Sequence, residues 1–168
     1  MQILGVCGSL QRQSSNLRLL VEMSLRVPEG VELTIFDGIG RIPLFNPDLL
    51  NEPPLPEPVQ AWKAALSASN AVLIASPEYG HSLPGALKNA IDWVIGSGEF
   101  YGKPVAITAA VRHPERGLNG LGALHQTLTA CDANIMYADT VFYGGDVDQQ
   151  QDEILQTITH RLLPAMAK

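Results

Sequence analysis

Nine residues, Gly8-Ser9-Leu10-Gln11-Arg12-Gln13-Ser14-Ser15-Asn16, lie between a short apolar run and the first stretch of helical periodicity. They combine the groups that hold an anion. Backbone N–H groups at a helix N-terminus point at negative charge, and the helix dipole adds to them. Ser9, Ser14, Ser15 and Asn16 add neutral donors, and Arg12 adds a cation. The same serines equally suit a plain helix N-cap, which needs no ligand. A second constellation, Ser76-Pro77-Glu78-Tyr79-Gly80-His81-Ser82-Leu83-Pro84-Gly85, sets two prolines and two glycines into a rigid turn after an apolar run. Backbone donors exposed there would meet a flat polar ring edge, with Tyr79 as an aromatic face. His81 is either a proton donor or a solvated loop histidine. Glu78 reads as an acid holding the turn through backbone hydrogen bonds, since no second carboxylate lies nearby in sequence. A third loop, Ala109 to Gly117, carries Arg112 and Arg116, either a phosphate site or ordinary solvated charge.

Better-known anion loops are absent. There is no G-x-G-x-x-G dinucleotide fingerprint and no G-x-x-x-x-G-K-[ST] triphosphate loop. A thiolate phosphatase of the C-x5-R form is excluded because Arg12 lies one residue too close to Cys7. Cys7 then reads as the last residue of a strand, and Cys7 and Cys131 as inert buried thiols.

The elements that must position these loops alternate between two periods. Ile3 to Cys7 is a strand-like apolar run ended by Gly8-Ser9. Asn16 to Arg26 has apolar spacing at Leu17, Leu20, Val21, Ser24 and Leu25, which predicts a helix closed by Pro28 and Gly30. Val31 to Phe36 reads as a strand. A long loop follows, ending in Asn51 to Pro58 with its four prolines. Val59, Trp62 and Leu66 mark a second helix, and Ala71 to Ala75 a fully apolar strand. Pro84 to Ile95 is a third helix, with Leu87, Ala90, Ile91, Val94 and Ile95 on one face and Pro84 in its first turn. Pro104 to Ala110 and Ile135 to Val141 are further strands. Leu118, Leu121, Leu124 and Leu128 mark a fourth helix, and Ile154, Leu155, Ile158 and Leu162 a last one. Strands apolar on both faces, alternating with helices, predict an α/β fold: a three-layer, doubly wound parallel sheet of five strands. Ligands of such sheets sit beyond the carboxyl ends of the strands, where strand order reverses. That singles out the loops beginning near Gly8, Ser76 and Val111.

Composition sets the class. A length of 168 residues favours one domain, able to bury about two thirds of its unfolded surface. Only 17% of residues are charged against a usual ~25%, and 46% are hydrophobic, which argues against disorder. A net charge of −6 disfavours nucleic acid as a partner. No apolar run approaches the ~18 residues of a membrane helix. The first apolar run follows no Lys or Arg, so a secretory signal is not expected, and the default compartment is a reduced cytoplasm.

From Ser76 to Trp93 the chain reads Ser-Pro-Glu-Tyr-Gly-His-Ser-Leu-Pro-Gly-Ala-Leu-Lys-Asn-Ala-Ile-Asp-Trp. This resembles the signature of the NADPH-dependent FMN reductase family, the flavodoxin-like group of quinone and chromate reductases. Gly8 to Asn16 resembles the family's first loop, Ile42 to Asp48 its second-strand loop, and Gly102 to Ile107 its following strand. The resemblance implies one flavodoxin-like FMN-binding domain over residues 1–168, with strand order 2-1-3-4-5. It implies noncovalent FMN, with the phosphate at Ser9, Gln11, Arg12, Ser14, Ser15 and Asn16 and the ring at Pro77, Glu78, Tyr79 and Gly80. NADPH or NADH would reduce flavin N5, and a quinone or similar small acceptor would take the electrons. No catalytic side chain and no metal is implied. A homodimer or homotetramer is implied, with the helix carrying Lys88, Asn89, Asp92 and Trp93 at the boundary, although Trp93 fits core packing and Lys88 a solvated surface equally well. The chain departs from the family in three places. Gln11 stands where the family has arginine, Gly80 where it has asparagine, and Ala109 to Gly117 lacks the usual Ser and Gly. Two other readings share the scaffold: a flavodoxin-type electron carrier, and a flavin-poor regulatory or interaction protein.

Overall fold

The structure, a computed structural model, describes residues 1–51 and 53–166, with side chains outside 51 and 161–166. Five parallel strands form one sheet in the order β2-β1-β3-β4-β5. They are β1 (Gln2–Cys7), β2 (Glu32–Phe36), β3 (Ala71–Ala75), β4 (Pro104–Val111) and β5 (Asn134–Phe142). The helices are α1 (Ser15–Ser24), α2 (Glu57–Ala68), α3 (Gly85–Ile95), α4 (Leu118–Thr129) and α5 (Val147–Met166). This is the flavodoxin-like arrangement. β1 pairs with β2 on one side and β3 on the other, Val6 facing both Phe36 and Ile74, so the strand order reverses beside β1.

Two apolar clusters hold the layers. Leu4, Val6, Trp62, Leu66, Ile74, Leu87, Ile91, Ile107 and Leu124 join the sheet to α2, α3 and α4. Ile3, Leu19, Leu20, Met23, Leu73, Ala106, Ile154 and Ile158 join its other face to α1 and α5. β3 is buried at all five residues, as its unbroken apolar sequence requires, whereas the edge strands β2 and β5 are largely half-exposed.

Several expected faces shift. α1 buries Asn16, Leu19, Leu20 and Met23, while Val21 and Leu25 are solvent-facing. Leu17, Leu19 and Met23 are interchangeable to a periodicity argument, and only the sheet beneath selects among them. Ile95 and Leu118, expected on buried faces, are about half exposed at their helix ends. Pro58 belongs to the first turn of α2 rather than to the proline loop, a position where its missing N–H leaves nothing unpaired. Pro84 is the N-cap of α3 instead of its first residue. The long loop after β2 contains two short 3-10 turns, Ile39–Arg41 and Pro47–Asn51. Glu52 of the proline loop and the Leu162 side chain lie outside the described residues.

Asn89 and Trp93 on α3 pin that long loop. Asn89 accepts the Phe45 N–H at 2.8 Å and donates to the carbonyls of Ile42 and Pro43, at 3.3 and 2.9 Å. Trp93 donates its indole N–H to Pro43 at 2.8 Å and meets Phe45 edge-on, with ring centroids 5.3 Å apart. Trp93 is therefore core, while Lys88 is exposed and paired with Asp92 at 2.6 Å.

Candidate functional site

The loops after β1, β3 and β4 converge beyond the carboxyl end of the sheet. A cavity of about 230 Å³ opens between them, lined by Ser15 and Asn16, by Pro77 and Glu78, and by Ala109–Arg112, Arg116 and Gly117. It spans the reversal of strand order, where the topology of an open α/β sheet leaves a crevice.

The first wall is the entry to α1. Ser14 caps it: its hydroxyl accepts the N–H groups of Asn16 (3.2 Å) and Leu17 (3.5 Å), and the side chain is buried. The backbone N–H groups of Arg12, Gln13 and Ser15 have no partner within the chain among the described residues. That leaves a set of open donors at a positive helix end. Asn16 is turned inward, its side-chain oxygen accepting the Ala110 N–H at 2.9 Å, so it ties α1 to β4. The Ser9 hydroxyl accepts the Gln11 N–H at 3.2 Å and lies 3.3 Å from the Tyr79 hydroxyl, bridging the first loop to the second. The Gln11 and Arg12 side chains are exposed and face a second, larger cavity on the β2 side of the first loop. Cys7 is buried, and burial pushes its thiol pKa up, in keeping with an inert group.

The second wall is a tight hairpin. Tyr79 and Ser82 exchange both backbone hydrogen bonds, at 2.9 and 3.0 Å. Gly80 and His81 between them both have positive φ, +56° and +60°. Two successive left-handed residues make a type I′ turn, for which glycine costs nothing and histidine is tolerated. Gly80, in place of the expected asparagine, meets this demand. The hairpin leaves the N–H groups of Glu78 and Gly80 without partners in the chain, and Tyr79 more than half exposed.

Glu78 joins the second wall to the third. α4 has no side-chain cap of its own, since Gly117 (φ +87°) occupies the N-cap position. Glu78 supplies it from the other loop: Oε2 accepts the Gly120 N–H at 2.9 Å. That bond chiefly holds the Glu78 carboxyl below the usual carboxylate range; burial opposes it, and His81 and Asn119 add smaller contributions. His81 Nδ1 lies 3.2 Å from Glu78 Oε1 and 3.1 Å from Asn119 Nδ2, so the tautomer decides whether that nitrogen donates to the carboxylate or accepts from the amide. The close approach needs a glycine, because a Cβ at position 120 would sit 2.9 Å from Glu78 Cβ and 3.0 Å from its Cα.

Of the residues singled out by sequence, the structure brings Ser15, Asn16, Pro77 and Glu78 to one cavity. Tyr79 reaches the first loop through Ser9. Ser9, Gln11 and Arg12 line the neighbouring cavity. Gly117, Asn119 and Gly120 escaped the reading as site residues. Two glycines, Gly120 and Gly122, inside an amphipathic helix were the available signal, since each weakens a helix unless something needs the space.

The sequence profile of the NADPH-dependent FMN reductase family matches residues 1–148. A quinone reductase of Escherichia coli (strain K12) is 32% identical over 168 residues, spanning 95% of this chain and 89% of its own. A quinone reductase of Pseudomonas putida is 33% identical over 150 residues, 88% of this chain and 80% of that one. Among solved structures, FerB of Paracoccus denitrificans, a flavoenzyme NAD(P)H:(acceptor) oxidoreductase, superposes with a TM-score of 0.72 at 26% identity. The overlap covers 97% of this chain and 95% of that one.

Proposed function

Because the chain belongs to the NADPH-dependent FMN reductase family, we infer that it is an FMN-dependent NAD(P)H oxidoreductase that passes electrons to quinones or similar small acceptors. The observation that carries this reading is the pairing of two donor-rich loops across one crevice: the open N–H groups at the start of α1, and those of the hairpin at Glu78 and Gly80. The donor set fits FMN. Hydroxyl and backbone donors at a helix N-terminus suit a phosphate dianion, and backbone donors on a rigid hairpin suit the polar edge of a flat ring.

Ser9, Ser14 and Ser15, with the backbone of Gln11 to Ser15, would hold the phosphate, Ser14 acting by fixing the helix entry. Pro77 to Gly80 would hold the ring edge. When bound there, FMN would supply the redox chemistry between the pyridine nucleotide and the acceptor. The chain's own part is orientation. The I′ hairpin sets the two ring-edge donors, Glu78 locks that hairpin against α4, and Ser9 with Tyr79 ties it to the first loop. Arg112 and Arg116 border the cavity as exposed cations.

We propose further that residues 1–168 form one FMN-binding domain, that it works in the cytoplasm, and that it works as a homodimer or homotetramer. Both cysteines are free thiols, which suits a reducing compartment. Exposed Tyr79 and Leu118 beside the crevice and Leu44 over α3 support an assembly that covers the site mouth. Among the described residues no helix is long and apolar enough to cross a membrane.

The test is reconstitution with excess FMN, removal of free ligand, and visible spectra before and after anaerobic NADPH, then NADH, then a quinone. A retained flavin band that bleaches with pyridine nucleotide and returns with quinone is the expected result. A band that no pyridine nucleotide bleaches would mean a carrier instead of a reductase. Protein that retains no flavin would overturn the reading.

A further inference from the structure

Asn119 is the only one of the chain's seven asparagines that precedes a glycine. Such a pair is chemically labile. The backbone nitrogen of the next residue can attack the asparagine amide carbon, and glycine puts no Cβ in the way and leaves the backbone free to turn. Asn119 is exposed, in the first turn of α4. Main-chain bonding of that helix begins with the Leu121 N–H donating to Gly117, so the Gly120 N–H is one of the end groups without a helical partner. The Glu78 carboxylate accepts it from across the crevice, at 2.9 Å. On the side chain, Asn119 Nδ2 lies 3.1 Å from Nδ1 of the exposed His81. A carboxylate on the attacking nitrogen and an imidazole beside the leaving nitrogen thus flank one Asn–Gly pair.

We propose that Asn119 is a site of spontaneous deamidation and that the Glu78 carboxylate gates it, so that the contact between the hairpin and α4 sets the rate. The chemistry belongs to the chain and to water, and needs no flavin. The Gly120 nitrogen gives its proton to a solvent base and bonds to Asn119 Cγ. The Cγ–Nδ2 bond breaks, and that nitrogen takes up a proton, with His81 in reach to supply it, and leaves as ammonia. Water then opens the cyclic imide at one carbonyl or the other, leaving aspartate or isoaspartate. Glu78 restrains the first step in two ways. Its negative charge, 2.9 Å from the Gly120 nitrogen, opposes formation of an amide anion there. Attack also requires the peptide plane between Asn119 and Gly120 to turn out of its helical orientation, which breaks the Glu78 bond. A hydrogen bond to a charged group favours the closed form over such a local opening by about ten- to a hundredfold. The products add one negative charge at the start of α4, and isoaspartate adds one main-chain carbon there, so both alter the helix end that Glu78 grips.

The test incubates the full chain in warm, mildly alkaline buffer as folded wild type, wild type in urea, folded Glu78→Ala and folded Asn119→Gln. Ion exchange separates the new charge forms, and peptide mapping by mass spectrometry locates the converted residue. Mapping is needed because Asp37-Gly38 can form isoaspartate with no change of mass. In urea, Asn119 is expected to convert faster than the other six asparagines. In folded wild type its rate should fall about tenfold or more, and Glu78→Ala should restore about tenfold of that loss. Asn119→Gln should remove the new charge form. Amide exchange at Gly120 in folded wild type should show protection of the same order as the slowing, which keeps the gate testable if Glu78→Ala does not fold. Conversion in urea no faster at Asn119 than at the other asparagines would overturn the site. Equal rates for wild type folded and in urea, a folded Glu78→Ala that converts no faster than wild type, or an unprotected Gly120 amide would overturn the gate.

Discussion

Substituting alanine at Gly120 and, separately, at Gly122 tests whether the contact between Glu78 and α4 sets the width of the crevice. Both glycines lie in α4, and an alanine in a helix interior is favoured over glycine by about 0.8–1 kcal/mol. At position 122 a new Cβ meets nothing within 4 Å. Gly122→Ala should therefore collect the whole gain, a rise in Tm of about 2–4 °C for a chain of this size. At position 120 the same methyl lands 2.9 Å from Glu78 Cβ and 3.0 Å from Glu78 Cα. One of those atoms is backbone, so relief requires the hairpin or the helix to move. Overpacking of this kind costs about 1–3 kcal/mol, which cancels or exceeds the propensity gain. Gly120→Ala should therefore melt about 2–12 °C below Gly122→Ala. A hairpin pushed off α4 also carries away the open N–H groups of Glu78 and Gly80 proposed to meet the ring edge. FMN affinity, read by quenching of flavin fluorescence, should fall about tenfold, the loss of roughly one good hydrogen bond, while Gly122→Ala binds like wild type. If the two variants match in both Tm and FMN affinity, the contact does not set the crevice and the argument fails.

Three other perturbations follow from the same geometry. Asn89→Ala removes one acceptor and two donors that hold the segment Ile42–Phe45, and should cost about 1–3 kcal/mol in denaturant unfolding; an unchanged midpoint would mean Trp93 alone holds that loop. Ser14→Ala should lose about 1 kcal/mol of stability together with FMN affinity, whereas Ser14→Asp should keep the cap yet repel the phosphate, separating the two roles by calorimetry. Glu78 has a folded pKa below its unfolded value, so its contribution is fully present above about pH 4.3 and is lost as pH falls through the depressed folded value. The stability of wild type relative to Glu78→Gln, which keeps an acceptor for Gly120 but does not titrate, should accordingly shrink on acidification; a difference that stays flat across that window would show the carboxylate to be uncoupled from folding.

The layer order was legible because it depends on coarse features. Five apolar runs of strand length, separated by helical periods, leave few topologies once crossovers are right-handed. Side-chain facing was less legible, and α1 shows why: Leu17, Leu19, Leu20, Val21, Met23 and Leu25 offer several overlapping stripes, and the choice lies with β1 and β3, distant in sequence. The hairpin was legible as a turn from Pro77, Gly80 and Pro84, but its type was not, since His81 takes a left-handed conformation that its identity permits without demanding.

The site divides along the same line. What one loop does alone, such as Ser14 capping its own helix, could be read from spacing. What two loops do together could not. Glu78 reads in sequence as an acid holding its own turn, yet the partner of its carboxylate is the start of a helix some forty residues away, and the reason for that partnership is a missing side chain at Gly120. Likewise Arg12 reads as a phosphate ligand within its own loop, and only the fold sets it beside Asp37 and Arg41 across a separate cavity. The three departures from the family pattern then acquire different weights. Gly80 is the residue best suited to a left-handed turn position and leaves the hairpin intact. Gln11 gives up a cation that Arg12 carries one position later and aims toward the β2 side. The changed third loop ends in Gly117, which sets Val111 and Ala109 close behind the start of α4 while leaving Arg112 and Arg116 exposed at the crevice. The hairpin and its tie to α4 are thus built despite the Gly80 departure, and the differences at Gln11 and in the third loop fall on exposed charge at the two cavity mouths.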